Sequence, residues 1–522
     1  MALIVGALLA TSVPGQIATG FHDAVCRIVD FDAGGACDVD DDTGAGPGSP
    51  PGGHGDDPFE PAKCLLAQDK NKTTVLVDIL FFKMSGSEEL VVQQWSNGEV
   101  TVQEVKSSAI GAGAGISAGI PGLKDWGGDA SLGVDYMHGS STGGQWLFNK
   151  HKSGDPQADL EANMADAKQF IHGMHEEDTC DALPYMVNPI SIAGCRNNAN
   201  DMMGEADPES MPDVDVTKTT DELSGGVSFG KAFKKGPKDG KGDKGDKGGD
   251  GKKGDDGKED DGIGSISADG LTGSMSDDVT VLRTRTGKDA GKITFVYTFS
   301  LGGKAGPGGQ AQASRMQQVS VTYDAAAYDE EEKNGSPHHP QKLTITTSEE
   351  SGSTAGAEAG AGANAGPVTI EVGGGGGKTT SQIHTESAQV DLSGKDADTV
   401  EDWLRGRGDD PASSGLPTPS DATRPLGPNA TPIERLLHDK AQLSKIDYAA
   451  NTDWWNASLG IGFGVALGEA SLGFKVFGIS VSHEHKTQTV TGDPKYAMAP
   501  AADGTRPWVD WKKCTQTSPV SF

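Results

Sequence analysis

Three times along the chain, an alternating apolar strand runs into a stretch of glycine and alanine. Residues 100–105 lead into 109–118, residues 343–345 lead into 355–363, and residues 459–467 interleave glycine with large apolar side chains. Bulk on one face and almost none on the other marks strands whose bare face another backbone approaches closely. Around these stretches the pattern predicts further strands. Residues 73–82 are a branched and aromatic run, and residues 90–95 and 100–105 flank Asn97-Gly98, a strong hairpin signal because both turn positions tolerate positive φ. Residues 131–136 and 145–148 add to this set. The alternation at 279–281, 292–299, 318–323, 343–345, 369–372 and 389–392 fits half-buried antiparallel strands.

Helices are predicted in three places. Asp155-Pro156 is an N-cap followed by proline at the first helical position, with Leu160, Met164, Ala167, Ile171 and Met174 as its apolar stripe. Asp396 caps a short helix that turns Val400, Trp403 and Leu404 inward. Thr431-Pro-Ile-Glu434 spells a capping box ahead of Ile433, Leu436, Leu437 and Leu443. The expected fold is mainly β with a few helices: duplicated Gly/Ala-rich antiparallel strand modules, each followed by an amphipathic helix, with an N-terminal apolar helix and disordered linkers. The expected organisation is a helix at 1–30, a Gly/Pro/Asp linker at 31–62 and a first β module at 63–230. A Lys/Asp/Gly linker at 231–262, a second β module at 263–404 and a Pro-rich linker at 405–430 follow. A helix with a C-terminal strand pair occupies 431–522.

Composition narrows the setting. With 75 glycines in 522 residues and 35% hydrophobic residues, much of the chain has little to bury, and the net charge of −31 disfavours nucleic acid and anionic lipid. The spacer at 231–262 keeps glycine at every third position from Gly242 to Gly257, but six triplets without proline do not hold a triple helix. Six cysteines without Cys-x-x-Cys spacing favour disulfides in an oxidising compartment over a zinc site. Short spacing suggests Cys26–Cys37 and Cys180–Cys195, leaving Cys64 for Cys514, one of fifteen possible pairings.

Residues 2–10 are an apolar run too short to cross a bilayer alone, and Ile17, Phe21, Val25 and Ile28 continue at helical spacing. This apolar start, the short amphipathic helix and Cys26-Arg-Ile-Val resemble the tail half of the pilin-like leaders of Flp and TadE-type proteins and of uncharacterised secreted actinobacterial proteins. The basic patch, glycine and glutamate of such leaders are missing here. The resemblance implies a membrane anchor and an extracytoplasmic location, membrane-anchored or secreted.

Candidate chemistry is sparse. His172, His175 and Glu176 near a helix end, and His483 and His485 on one strand face, have some features of metal pairs but lack a third ligand. Asp38, Asp40 and Asp42 open like a calcium loop, yet Thr43 and Ser49 stand at its glycine and glutamate positions. Arg407-Gly-Asp409 is a three-residue match. The Gly373 to Gly377 run before Lys378 fails the phosphate-loop pattern at Val372. No catalytic motif and no cofactor site is read, so no enzymatic activity is assigned. The leading expectation is a membrane-tethered surface protein with a structural or interaction role, its partners being cell-envelope components or other surface proteins, not nucleic acid. A pore-forming or lipid-engaging β protein is the alternative, and a secreted hydrolase the third. A membrane barrel needs lipid-facing apolar strands and aromatic girdles; in the sequence alone only residues 459–467 approach this, with aromatics at 6%.

Overall fold

The computed structural model describes residues 57–79, 82–119, 128–182, 211–231, 267–305, 311–365, 368–406, 416–467 and 470–521. Twelve long strands follow one another in sequence order, each antiparallel to the next. They are β1 (Leu65–Ile79), β2 (Phe82–Trp95), β3 (Val100–Gly119), β4 (Gly128–Phe148), β5 (Val214–Lys231) and β6 (Ser267–Thr284). Then come β7 (Lys292–Ala305), β8 (Ala311–Asp324), β9 (Lys342–Ala365), β10 (Val368–Asp391), β11 (Gln442–Leu467) and β12 (Ala470–Ala497). A short β13 (Trp508–Asp510) extends the end of β12. The sheet closes on itself, because β1 pairs with β12 from Ala67 opposite Thr489 to Ile79 opposite Phe477. The result is a closed up-and-down barrel with no free long edge, which removes the exposed strand edge that invites aggregation. Strands that the sequence assigns to three separate pieces belong to this one sheet.

Every described helix lies at one end. α1 (Pro156–Ala182) follows β4, α2 (Ala325–Asn334) follows β8, α3 (Lys395–Gly406) and α4 (Pro432–Lys440) join β10 to β11, and the short α5 (Lys512–Thr515) sits near the C-terminus. These helices jacket the outside of the barrel. Leu160, Met164, Ala167, Phe170 and Ile171 of α1 bury against Val92, Val100, Val102, Trp146 and Phe148, with the Phe170 ring 5.0 Å from that of Trp146. On the other side, Tyr328 of α2, Val400 of α3 and Ile433, Leu436 and Leu437 of α4 join Phe295, Tyr323, Leu343, Ile345 and Val390. Burial at 2–5 kcal/mol per large side chain makes this end the stable half of the molecule.

Local signals act as expected here. Gly98 adopts φ 87° in the β2–β3 turn, and a Cβ on it would lie 2.8 Å from Asp159 of α1. The Thr431–Glu434 capping box forms in full. α1 runs on past its predicted apolar stripe to Ala182, and α2 has no counterpart among the predicted helices. Cys64 and Cys514 form a disulfide that ties the start of β1 to α5, while each of the other two suggested pairings includes a cysteine outside the described residues. Arg506, 2% exposed, donates to the carbonyls of Leu437, His438, Ala441, Ala497 and Met498, joining the end of α4 to the end of β12. Burial pulls its pKa down to about 10, so it stays charged at neutral pH.

The N-terminal helix at 1–30 and the linker at 231–262 lie outside the described residues, as does most of the linker at 31–62. No described helix is long and apolar enough to cross a membrane, so the strands alone carry any spanning role in the described residues.

Candidate functional site

Strand register decides which side chains share a face. On β2, exposure alternates from Phe82 to Glu88, so Phe82, Met84, Gly86 and Glu88 point out and Lys83, Ser85 and Ser87 point in. Pairing carries this assignment around the ring. Met84 lies opposite Ile110 and Val77; Val372 lies opposite Leu459, and Leu459 opposite Ile479. Val481 lies opposite Val75, closing the circle between β12 and β1. Outward apolar side chains on this half are bare: Phe82 is 66% exposed, Ile110 67%, Val372 54% and Leu301 53%. Alanines 355, 357 and 359 of β9 and alanines 311 and 313 of β8 fill the same outward face.

Between this apolar band and the helix jacket, the outward positions turn polar. They include Thr73, Glu88, Lys106, Ser108, Ser140, Thr142, Thr380, Gln382 and Asp453. Trp455 and Tyr136 stand on the border. Trp455 stacks on His483 at 5.9 Å between ring centroids, and the Tyr136 hydroxyl donates to Asp221 at 2.6 Å. Amphipathic rings at an apolar–polar border are what a bilayer interface favours.

The inward face is small and polar below the jacket. It carries Ser85, Ser87, Ser107, Gly111, Gly302, Gly352, Gly356, Gly373, Gly375, Gly377, Ser480 and Gly478. The bare face inferred from the Gly/Ala stretches is therefore the lumen. Its glycines are structural: a Cβ on Gly111 would stand 2.1 Å from the Tyr136 carbonyl, and one on Gly377 would meet both the Ala355 carbonyl and the Trp454 ring. Trp454, on the inward face of β11, takes the space that Gly356 and Gly377 leave.

Charged pairs line the lumen where the small residues give way to packed ones. Lys70 pairs with Glu89 at 3.0 Å, Lys218 with Asp278 at 2.9 Å, and Lys486 with Glu350 at 2.9 Å. Nearer the helices the inward positions are filled, by Gln93, Gln145, Val216, Leu282, Thr294, Val296, Thr322 and Tyr448 among others, all buried.

The two strand histidines chosen from sequence take separate partners. His172 and His175 lie exposed on α1, His483 hydrogen-bonds Thr73 at 3.0 Å, and His485 hydrogen-bonds Asp69 at 2.9 Å. Among the described residues no group of three or more His, Cys, Asp or Glu is placed to hold a metal. Gly373 to Gly377 are the middle of β10, paired on both sides, and not a phosphate-binding loop. Arg407 and the acidic run at 38–42 fall outside the described residues. The expectation that apolar outward positions are confined to 459–467 is corrected by the register, which gathers one to three such positions from most of the strands, among the described side chains, into one band.

No family model matches this chain, and no curated protein does. Among solved structures it is similar to the beta domain of the Bordetella autotransporter BrkA, at 8% identity over 82% of this chain and all of that one, with a TM-score of 0.13. It is also similar to Pseudomonas putida OprB at 6% identity, 83% and 94% coverage and a TM-score of 0.18. A Pseudomonas aeruginosa FadL homologue matches at 7% identity, 83% and 91% coverage and a TM-score of 0.11. At these scores the likenesses carry no weight for this chain, whose closed twelve-strand barrel stands on its own pairing.

Proposed function

We propose that this protein is a membrane-inserting β-barrel of the pore-forming class, which embeds its bare end in a lipid bilayer and keeps its helix-jacketed end in water. The observation that carries the reading is the outward apolar band that takes in Val75, Phe82, Ile110, Leu301, Val372 and Ile479, uncovered by any described element, over an inward face rich in serine and glycine. A soluble protein rarely leaves so many outward apolar side chains bare, and a membrane barrel requires this out-and-in arrangement. The strands have the reach: β11 continues from Trp455 to Leu467, enough for the roughly 9–11 residues that cross a hydrocarbon core. The β1–β2 hairpin is shorter, and beyond its tip β3 and β12 pair directly at Ser117–Gly473 and Ala118–Leu472, which keeps the wall closed.

The Cys64–Cys514 disulfide supports an oxidising, extracytoplasmic side for the jacketed end. The bilayer engages the strands, whereas the leading expectation from sequence gave that role to an N-terminal helix.

Flotation with neutral-lipid vesicles tests the reading. Protein that rises with the vesicles and stays bound at high salt is expected, since burial of the band does not depend on charge. Protein that remains at the bottom of the gradient, or is washed off by salt, overturns it.

A further inference from the structure

The lumen changes character at one level, and charge marks that level. Towards the bare end its wall is rich in serine and glycine, with Asp78, Lys83, Met137 and Trp454 among them; towards the helices it is filled with buried side chains. Between them lies a chain of alternating charge. Glu350 on β9 holds Lys486 on β12 through both carboxylate oxygens, at 3.0 and 2.9 Å, and accepts from the Ser381 hydroxyl on β10. Lys486 is the register partner of Lys70 on β1. Two lysines directly opposite repel, and each is answered by its own carboxylate, Glu350 for one and Glu89 for the other. Glu89 on β2 also interacts with the charge of Lys218 on β5, which is bound to Asp278 on β6.

One of these links is not between neighbouring strands: Glu350–Lys486 joins β9 to β12, which have β10 and β11 between them. It joins parts of the wall a quarter-turn apart and runs through the lumen itself, while Lys70–Glu89 and Lys218–Asp278 join the neighbours β1 to β2 and β5 to β6. The groups are enclosed by protein yet wetted: 34% of the Lys218 side chain and 25% of the Glu89 side chain remain exposed. Such a pattern belongs to charges lining a water-filled space, not to ion pairs sealed in a core.

Resting on the membrane-inserting reading, we infer that this charged layer, centred on Glu350–Lys486 and Lys218–Asp278, is the gate of the barrel and controls the passage of ions and small hydrophilic solutes. The links draw the wall together where the small-residue bore begins and hold the polar interior behind it, Gln68 with Gln93 and Thr294 with Thr322, in its packed arrangement. Removing a link lets the cross-section widen.

Planar-bilayer recording with the full-length protein tests this. Vesicle flotation is run on every variant, so a failure of insertion is read separately from a failure of gating. The neutral double variant E350Q/K486M is expected to carry roughly tenfold more current than the unmodified protein at equal inserted amounts. The exchanged pair E350K/K486E keeps the link and is expected to stay near the unmodified level. K218M/D278N removes the charged pair that β5 and β6 contribute to the same layer and should raise the current as well, so a misfolded first variant leaves the second to decide. Inserted E350Q/K486M and K218M/D278N that conduct no more than the unmodified protein overturn the inference, as does an exchanged pair that conducts like the neutral one.

Discussion

The two ends of the barrel solve one problem in two ways. At both, the outward positions of the strands are apolar. At the jacketed end Val102, Trp146, Phe295, Leu343 and Val390 are covered by α1 to α4; at the bare end Phe82, Met84, Ile110, Leu301, Val372 and Ile479 are covered by nothing described in the chain. The insides differ in the opposite sense. The jacketed lumen is filled by glutamine, threonine, valine and tyrosine, and the bare lumen is lined by serine and glycine. One end is thus a globular domain that happens to be cylindrical, and the other is built to be finished by its surroundings.

The comparison predicts that mutations separate cleanly. The largest effect belongs to Arg506→Met, which strands five carbonyls at the end of α4 and β12. At about 1–3 kcal/mol for a buried group left unmade, partly relieved by relaxation, the loss should be about 4 kcal/mol, seen as a lower denaturant midpoint in solution. Leu160→Ala, which empties a fully buried position under the jacket, should cost about 3 kcal/mol by the same measurement. Ile110→Lys should do the reverse. It should leave the solution midpoint within about 0.5 kcal/mol, because the side chain is already in water, yet weaken vesicle binding by about 2 kcal/mol, because a cation now faces hydrocarbon. A large solution effect with unchanged vesicle binding would break the comparison at that residue.

The smallest effect sharpens it by pH. The carboxyl of Asp329 on α2 is held below its ordinary range by its hydrogen bonds and ion pair with Arg283. A depressed carboxylate stabilises the fold above the usual carboxylate range, and that contribution is lost as pH falls through the folded value. The pair is half exposed and solvent-screened, so the contribution is no more than about 0.5 kcal/mol. Asp329→Asn should therefore lower the midpoint slightly at neutral pH and make no difference in strong acid.

What the sequence made legible was local. The Asn97-Gly98 turn, the α1 stripe and the Thr431 capping box each lie within a few residues of their own partners, and each formed. β5 was missed because its run from Val214 to Lys231 is mostly polar and small, its face set by the lumen and not by a core. α2 was missed because it buries Tyr328 alone, although Asp324 as its N-cap and Gly335 in the left-handed region at its end were signals that could have found it. The Cys64–Cys514 disulfide is the pairing that the cysteine spacing left over, whereas the closing pair of β1 with β12 beside it joins residues about 400 positions apart, which no window along the chain can reveal. The apolar band was hidden for the same reason. Each strand gives it only a few residues between glycines and serines, and only the register adds them together.

Lipid-borne photolabelling tests the central claim most directly. A carbene-generating lipid analogue is activated in vesicles carrying the protein, and modified residues are mapped by peptide mass spectrometry. Labels should fall on Phe82, Met84, Ile110, Val372, Leu459 and Ile479, and should skip Ser85, Ser87 and Gly478 on the same strands. Labels on both faces alike, or confined to the helix-jacketed end, would contradict a barrel that enters the bilayer by its bare end.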